Sequence, residues 1–175
     1  MTPKKPVDFW KSSSIIIDTR EQLPYQFVGC PVQGSTLRTG DYSVTGLESW
    51  VGVERKSLGD YWGCLGKGRK RFEAELVRAR DTIAHFLVVI EAPFCDLPEG
   101  YFYYDGREGR AKRSLIPGGR AENSAHAWAI MYGVHFLWAG TREAGERGTL
   151  NWLKMGLRIK RHADKEAAKK LVQHG

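Results

Sequence analysis

The sequence predicts an α/β domain with a central mixed sheet of about five or six strands flanked by helices. Three observations predict it. Short β-branched and aromatic runs alternate with segments of helical period, in the order β, β-hairpin, α, β, α, β, α. The run His85 to Glu91 (HFLVVIE) is apolar almost throughout, as a central strand covered on both faces has to be. The chain, 175 residues and 42% hydrophobic, has enough apolar side chains for one core and no comfortable room for two domains.

Residues 1–13, rich in Pro, Lys and Ser, read as a flexible N-terminal arm, residues 14–157 as the folded domain, and residues 158–175 as a basic C-terminal helix or tail. Ser14 to Asp18 (SIIID) is a short buried strand ending in an acid. Glu21 to Gly34 contains Pro24, Gly29, Pro31 and Gly34 and reads as a loop. Thr36 to Val44, broken near Gly40 and Asp41, and Trp50 to Lys56 form two strands joined by a turn at Thr45 and Gly46.

From Arg69 the period becomes helical. Phe72, Leu76, Ala79 and Ile83 recur on one side, with Arg71, Glu73, Glu75, Arg78 and Arg80 around the others. Residues 93–120 read as a long irregular insertion carrying Tyr101, Phe102, Tyr103 and Tyr104, then Arg107, Arg110, Lys112, Arg113 and Arg120. Aromatic and basic residues interleaved in this way suit a frayed or single-stranded nucleic-acid arm. The slightly favoured reading is a loop packed onto the sheet by its rings. Glu122 to Tyr132 reads as a helix, Val134 to Trp138 as a strand, and Arg142 onward as a long helix using Leu150, Leu153 and Leu157.

Composition excludes several classes. No apolar run is long enough to span a bilayer, and no secretory apolar region follows Met1. Cys30, Cys64 and Cys95 are odd in number and widely spaced, which argues against a disulfide scaffold or a cysteine zinc site and for a reducing compartment. The histidines show no ligand spacing. Residues 1–106 carry a net charge of −1 and residues 107–175 a net charge of +8. A basic half fits a polyanion, most often nucleic acid, or else a solvated basic face. The glycine-rich stretch Gly63 to Arg71 lacks the residues of a phosphate-binding Walker loop, so no nucleotide cofactor is expected. It reads as a glycine hinge presenting Lys67, Arg69, Lys70 and Arg71 to a DNA backbone, or as a plain solvated turn.

The chemistry concentrates in Gly40-Asp41, Glu54-Arg55-Lys56 and Asp60. On a strand, Glu54 and Lys56 point to one side and Arg55 to the other, while Asp41 reaches the Glu54 side from the neighbouring strand. Two carboxylates beside one lysine are what a divalent-metal hydrolase of phosphodiesters needs. The acids offer hard oxygens to the ion, which activates water, and the lysine stabilises charge on the phosphate. Asp18 and Glu21, at the end of the first strand, are placed to add ligands. Taken alone, an Asp followed by Glu-x-Lys is more often a solvated charge pair.

The full set of elements is more specific. Asp18-x-Arg20-Glu21, Gly40-Asp41, Glu54-Arg55-Lys56 and Asp60, in that order, resemble the XPF nuclease family, a branch of the restriction-endonuclease-like fold with the signature GD…ERKxxxD. The resemblance spans roughly residues 15–153. It implies a metal-dependent DNA endonuclease with roles in repair and recombination, cutting branched or flapped DNA near single-strand/double-strand junctions. Asp41, Glu54 and Asp18 would bind Mg²⁺ or Mn²⁺, with the Lys56 carbonyl helping, and Lys56 would be the catalytic lysine. Glu21 would complete the acidic cluster, with Arg20 in support and Arg55 and Asp60 as a supporting ion pair. Lys67, Arg69, Lys70, Arg71 and Arg113 would meet DNA.

Family members usually add a tandem helix–hairpin–helix module. Residues 158–175 are too few for one, so a free-standing nuclease domain is expected, of bacterial or phage type and cytoplasmic or nucleoid-associated, with a homodimer as one open form. The rival readings are a non-catalytic DNA-binding scaffold and a restriction- or resolvase-like nuclease on duplex or four-way DNA. The scaffold would have lost acids that this chain keeps.

Overall fold

The computed structural model describes residues 9–105 and 110–173. Its elements are β1 (Ile15–Asp18), β2 (Val32–Ser35), β3 (Tyr42–Val44), β4 (Val51–Lys56), α1 (Leu58–Leu65), α2 (Arg69–Thr82), β5 (His85–Ile90), β6 (Phe102–Asp105), β7 (Arg110–Arg113), α3 (Gly118–Tyr132), β8 (His135–Trp138) and α4 (Arg142–Gln173). Six strands form one sheet in the order β2-β1-β3-β4-β5-β8. β3 runs antiparallel to β1 and β4, whereas β1–β2, β4–β5 and β5–β8 are parallel, so the sheet is mixed as expected.

The period-two alternation of β5 divides the core between two layers. Phe86, Val88 and Ile90 pack beneath α1, α2 and α3 with Phe72, Leu76, Ala121 and Trp128. Leu87 and Val89 face the other way with Val51, Val53, Tyr42 and the α4 residues Leu153 and Leu157. A strand covered on both faces needs apolar residues at consecutive positions, which is why β5 reads as an unbroken run. α4 approaches the sheet closely: a Cβ on Gly156 would sit 2.9 Å from Val51 Cγ2. No helix among the described residues is long and apolar enough to cross a membrane.

Five segments differ from the sequence expectation. β2 occupies part of the stretch expected to be a loop. It is an edge strand whose VQGS sequence is mostly exposed and gives little hydrophobic signal. α1 and α2 take up the two ends of the expected glycine hinge, α1 through Leu65 and α2 from Arg69. The glycines of α1 disfavour a helix, but a capping box between Ser57 and Asp60 closes its first turn and burial of Tyr61, Trp62, Cys64 and Leu65 holds it. The hinge shrinks to the turn Gly66 to Gly68.

The insertion at 93–120 contains a β-hairpin, pairing Phe102 with Arg113 and Tyr103 with Lys112; residues 106–109, including Arg107, lie outside the described residues. At the start of the chain, residues 1–8 of the expected arm lie outside the described residues, and the rest of it packs. Trp10 is buried in the α4 layer, and Arg161 donates to the carbonyls of Phe9 at 2.6 Å and Trp10 at 3.1 Å. Arg161 thus anchors this segment instead of lying on a solvated face. The boundary expected near residue 158 falls inside α4, one continuous helix of 32 residues.

Candidate active site

β4 lies between β3 and β5, and its alternation separates two sets of charges. Glu54 and Lys56 project together toward α1 and α2, and Lys56 Nζ donates to Glu54 Oε1 at 2.6 Å. The Lys56 ammonium also rests 4.5 Å from the centre of the Phe72 ring on α2. Arg55 projects to the opposite side, as the strand period requires.

Asp41 enters from the break before β3. Its N–H donates to the Val53 carbonyl at 2.7 Å, and its own carbonyl accepts from the Asp18 N–H at 2.8 Å. Gly40 makes this path possible. It adopts φ +83°, and a Cβ there would stand 2.8 Å from the Val53 carbonyl oxygen and 3.0 Å from Phe86. Gly40→Ala is therefore expected to destabilise the protein by at least about 1–2 kcal/mol and to displace Asp41, read as a lower melting temperature together with lost activity.

The two carboxylates are held at one oxygen each. Asp41 Oδ2 accepts the Arg55 N–H at 2.7 Å, and Glu54 Oε1 accepts Lys56 Nζ. Asp41 Oδ1 and Glu54 Oε2 accept no hydrogen bond among the described residues. Burial pushes the Asp41 carboxyl up to about 6, against the opposing Arg55 N–H bond. Burial, joined by the Asp41 charge, pushes Glu54 well above its ordinary value. For Lys56, burial would lower the ammonium, but Glu54 outweighs it and holds the group above its ordinary value.

The Asp41 charge raises Glu54, the Glu21 and Glu75 charges raise Asp41, and Lys56 is the cation that opposes both shifts, so the site is short of positive charge. The free hard oxygens of Asp41 and Glu54 fit Mg²⁺ or Mn²⁺, since Mg²⁺ commonly takes one or two protein carboxylates and fills its shell with water and phosphate. No group of three His, Cys, Asp or Glu among the described residues forms a fuller metal cage.

The other expected site residues have definite partners. Asp18 is buried, and Arg20 Nε at 2.7 Å, Arg20 Nη2 at 3.1 Å, Arg20 N–H at 2.8 Å and Leu37 N–H at 2.6 Å donate to its two oxygens. Burial would raise its carboxyl, but these donors together hold it below the ordinary value. Both oxygens of Asp18 are engaged in fixing the loop after β1 against the residues after β2.

Glu21 accepts Arg55 Nη2 at 3.0 Å and Nε at 3.3 Å. The ion pair expected between Arg55 and Asp60 is not formed. Arg55 joins Glu21 to Glu91, which accepts its Nη1 at 3.1 Å and that of Arg142 at 3.1 Å. Asp60 instead accepts the Ser57 hydroxyl at 2.6 Å in the α1 cap. The Lys56 carbonyl accepts the Glu91 N–H at 2.9 Å, which places it in the sheet ladder.

Around this floor opens a cleft of about 890 Å³. Its walls are the Asp18–Leu23 and Arg38–Gly40 segments, the α1 residues Gly59, Asp60, Gly63 and Cys64, and Lys67, Arg71, Glu75 and Arg78 on or beside α2. Of the expected DNA-binding residues, Lys67 and Arg71 line it and are exposed. Lys70 is exposed outside its lining. Arg69 belongs to the packing between α2 and α3: it pairs with Glu73 at 2.8 Å, donates to Ser124 at 3.2 Å and lies over Trp128. Arg113 lies on β7 and donates to the Glu99 carbonyl at 3.0 Å.

Sequence reasoning missed Glu75, Arg38 and Arg78. Arg71, Glu75 and Arg78 fall at i, i+4 and i+7, one polar stripe of α2 that the search for its apolar face passed over. Among the described residues the Glu75 side chain has no hydrogen bond or salt bridge, and its charge raises both Asp41 and Glu54.

The family model described as the ERCC4 domain matches residues 17–147. Among solved structures, the chain is similar to XPF from Aeropyrum pernix, with 18% identity and a TM-score of 0.58, covering 89% of this chain and 68% of that one. It is also similar to XPF from Aeropyrum pernix in complex with DNA, with 20% identity and a TM-score of 0.57, covering 85% and 65%. The chain thus spans about two thirds of the length of these structures, and the likeness is one of fold. Among curated proteins, none matches.

Proposed function

Because the chain belongs to the ERCC4 domain family, we propose that it is a divalent-metal-dependent DNA endonuclease acting on branched or flapped DNA near single-strand/double-strand junctions. The observation that carries this reading is the floor of the cleft. Asp41 and Glu54, on neighbouring stretches of the sheet, each keep one oxygen unbonded beside the Lys56 ammonium.

Asp41 and Glu54 are the proposed metal ligands, with Mg²⁺ or Mn²⁺ as the ion. When bound, the ion supplies an activated water and a positive charge against the phosphate. Arg55 holds Asp41 through its main-chain N–H and so fixes the carboxylate without competing for its second oxygen. Lys56 keeps its proton across the neutral range, so its role is a fixed cation and donor toward the phosphate, not a base. Asp18 and Arg20 brace the loop behind Asp41, and Asp60 caps the helix that forms one wall.

The basic rim of Arg38, Lys67, Arg71 and Arg78 suits a polyphosphate backbone laid over an acidic floor. Lys67→Ala with Arg71→Ala is expected to weaken DNA binding at low salt and to reduce the slope of log affinity against log salt by about 2. An unchanged slope across a salt series would remove these residues from the interface.

The direct test of the metal site is thermal melting with and without Mg²⁺ or Mn²⁺. The ion is expected to raise the melting temperature of the unaltered protein and to leave that of the Asp41→Asn, Glu54→Gln double variant unmoved. Cleavage of labelled flap, fork, four-way and linear DNAs then separates this reading from a restriction- or resolvase-like specificity. Activity in excess chelator would defeat it.

A further inference from the structure

The β6–β7 hairpin carries a feature that phosphodiester chemistry does not use. Trp62 on α1 stacks on Tyr101, with ring centres 5.6 Å apart and planes 28° apart, and Tyr101 stacks on Tyr103, 6.4 Å apart at 23°. The neighbouring ring pairs Tyr61–Trp128, Phe72–Trp128 and Tyr61–Trp138 meet edge to face instead.

Tyr101 immediately precedes β6, where its carbonyl accepts the Ser114 N–H at 2.7 Å, and it stacks on Tyr103 two residues on, whose cross-strand partner is Lys112. The column begins in the core at Trp62, and its middle ring reaches the wall of the cleft, where a Cβ on the cleft-lining Gly59 would stand 2.6 Å from the Tyr101 hydroxyl. This column ends in solvent at Tyr103, 43% exposed.

We propose that Tyr103 is the open end of a stacking platform for an unpaired base of single-stranded DNA leaving the cleft. This rests on the nuclease reading of the cleft and adds to it a separate contact for the substrate's single-stranded part. Three near-parallel rings offer the next flat ring a ready-made stacking surface. Such a surface takes any base, because every base has a π-face. A paired base in a duplex keeps its faces covered by its neighbours and cannot use it.

The test measures binding in chelator, where no cleavage occurs, using a fluorescent oligothymidine and a blunt duplex of the same length. Tyr103→Ala is expected to lower affinity for the single strand by about fivefold or more and leave duplex affinity within about twofold, while Tyr103→Phe binds like the unaltered protein. Melting curves establish that the variants are folded. Equal affinity of Tyr103→Ala for the single strand, an equal loss on both DNAs, or no binding of the single strand by the unaltered protein would overturn the platform. Cleavage with Mg²⁺ is scored separately. A protein that cuts forked DNA but binds oligothymidine independently of Tyr103 keeps the nuclease reading and loses the platform. One that cuts nothing but needs Tyr103 to bind the single strand does the reverse.

Discussion

Asp41→Asn and Glu54→Gln are each expected to lower the cleavage rate by at least about 10²-fold, because each removes a charged oxygen ligand of the proposed ion. The folded protein is expected to gain, not lose, stability. In the native state the Asp41 carboxyl is raised from an ordinary 3.8 to about 6, chiefly by burial. Between those values the folded chain holds more protons than the unfolded one, so stability declines as pH rises through that window.

Asn cannot ionise, and its side-chain oxygen still accepts the Arg55 N–H. In chelator at pH 7 Asp41→Asn is therefore expected to be more stable than the unaltered protein by on the order of 2–3 kcal/mol, with the gain fading toward pH 3. Melting curves at the two pH values, beside cleavage assays with Mg²⁺, measure both effects. Full activity of either variant, or a stability difference independent of pH, would contradict the account.

Arg55→Leu is expected to destabilise the fold by about 3 kcal/mol. Arg55, Glu21 and Glu91 are mostly withdrawn from solvent, with side-chain exposures of 10%, 5% and 11%. Burial alone would lower the guanidinium, but Glu21 and Glu91 outweigh it and hold it above its ordinary value. Leucine fills the space and leaves Glu21 with only the Leu23 N–H at 2.8 Å, while Glu91 keeps Arg142.

The cost is thus that of one poorly compensated buried carboxylate. The double variant Arg55→Leu, Glu21→Gln is expected to recover part of the loss, because the glutamine carries no charge to strand. Strictly additive losses in denaturant melts would show that the pair does not act as a unit.

Much of the fold was legible because its signals are local. β4 and β5 follow from period and composition, and α2 from the spacing of Phe72, Leu76 and Ala79. The meeting of Asp41, Glu54 and Lys56 followed from strand alternation plus one hairpin. What escaped depends on contacts distant in sequence. Glu75 joins the site only because α2 packs over β4. Arg55 finds Glu91, 36 residues on, through the parallel pairing of β4 with β5. Trp10 is buried through α4, which lies some 150 residues later and binds its carbonyl through Arg161. The hairpin at Phe102 hid because its alternation is between aromatic and aromatic, which shows no polar face.

β4 gives adjacent residues opposite tasks. Glu54 and Lys56 serve the cleft, while Arg55 clamps the underside. Side chains on a strand alternate strictly, so sliding β4 by a single position against β3 and β5 would swing the guanidinium into the reaction chamber and drive the acid into the clamp. Both mistakes would strand charge, and Val51 and Val53 would be turned out of the α4 layer into the layer beneath α1 and α2, where Phe86 and Ile83 already crowd Gly52. Catalytic competence and correct threading of the sheet are thereby one property, and turnover itself becomes a gauge of whether this chain has folded in frame.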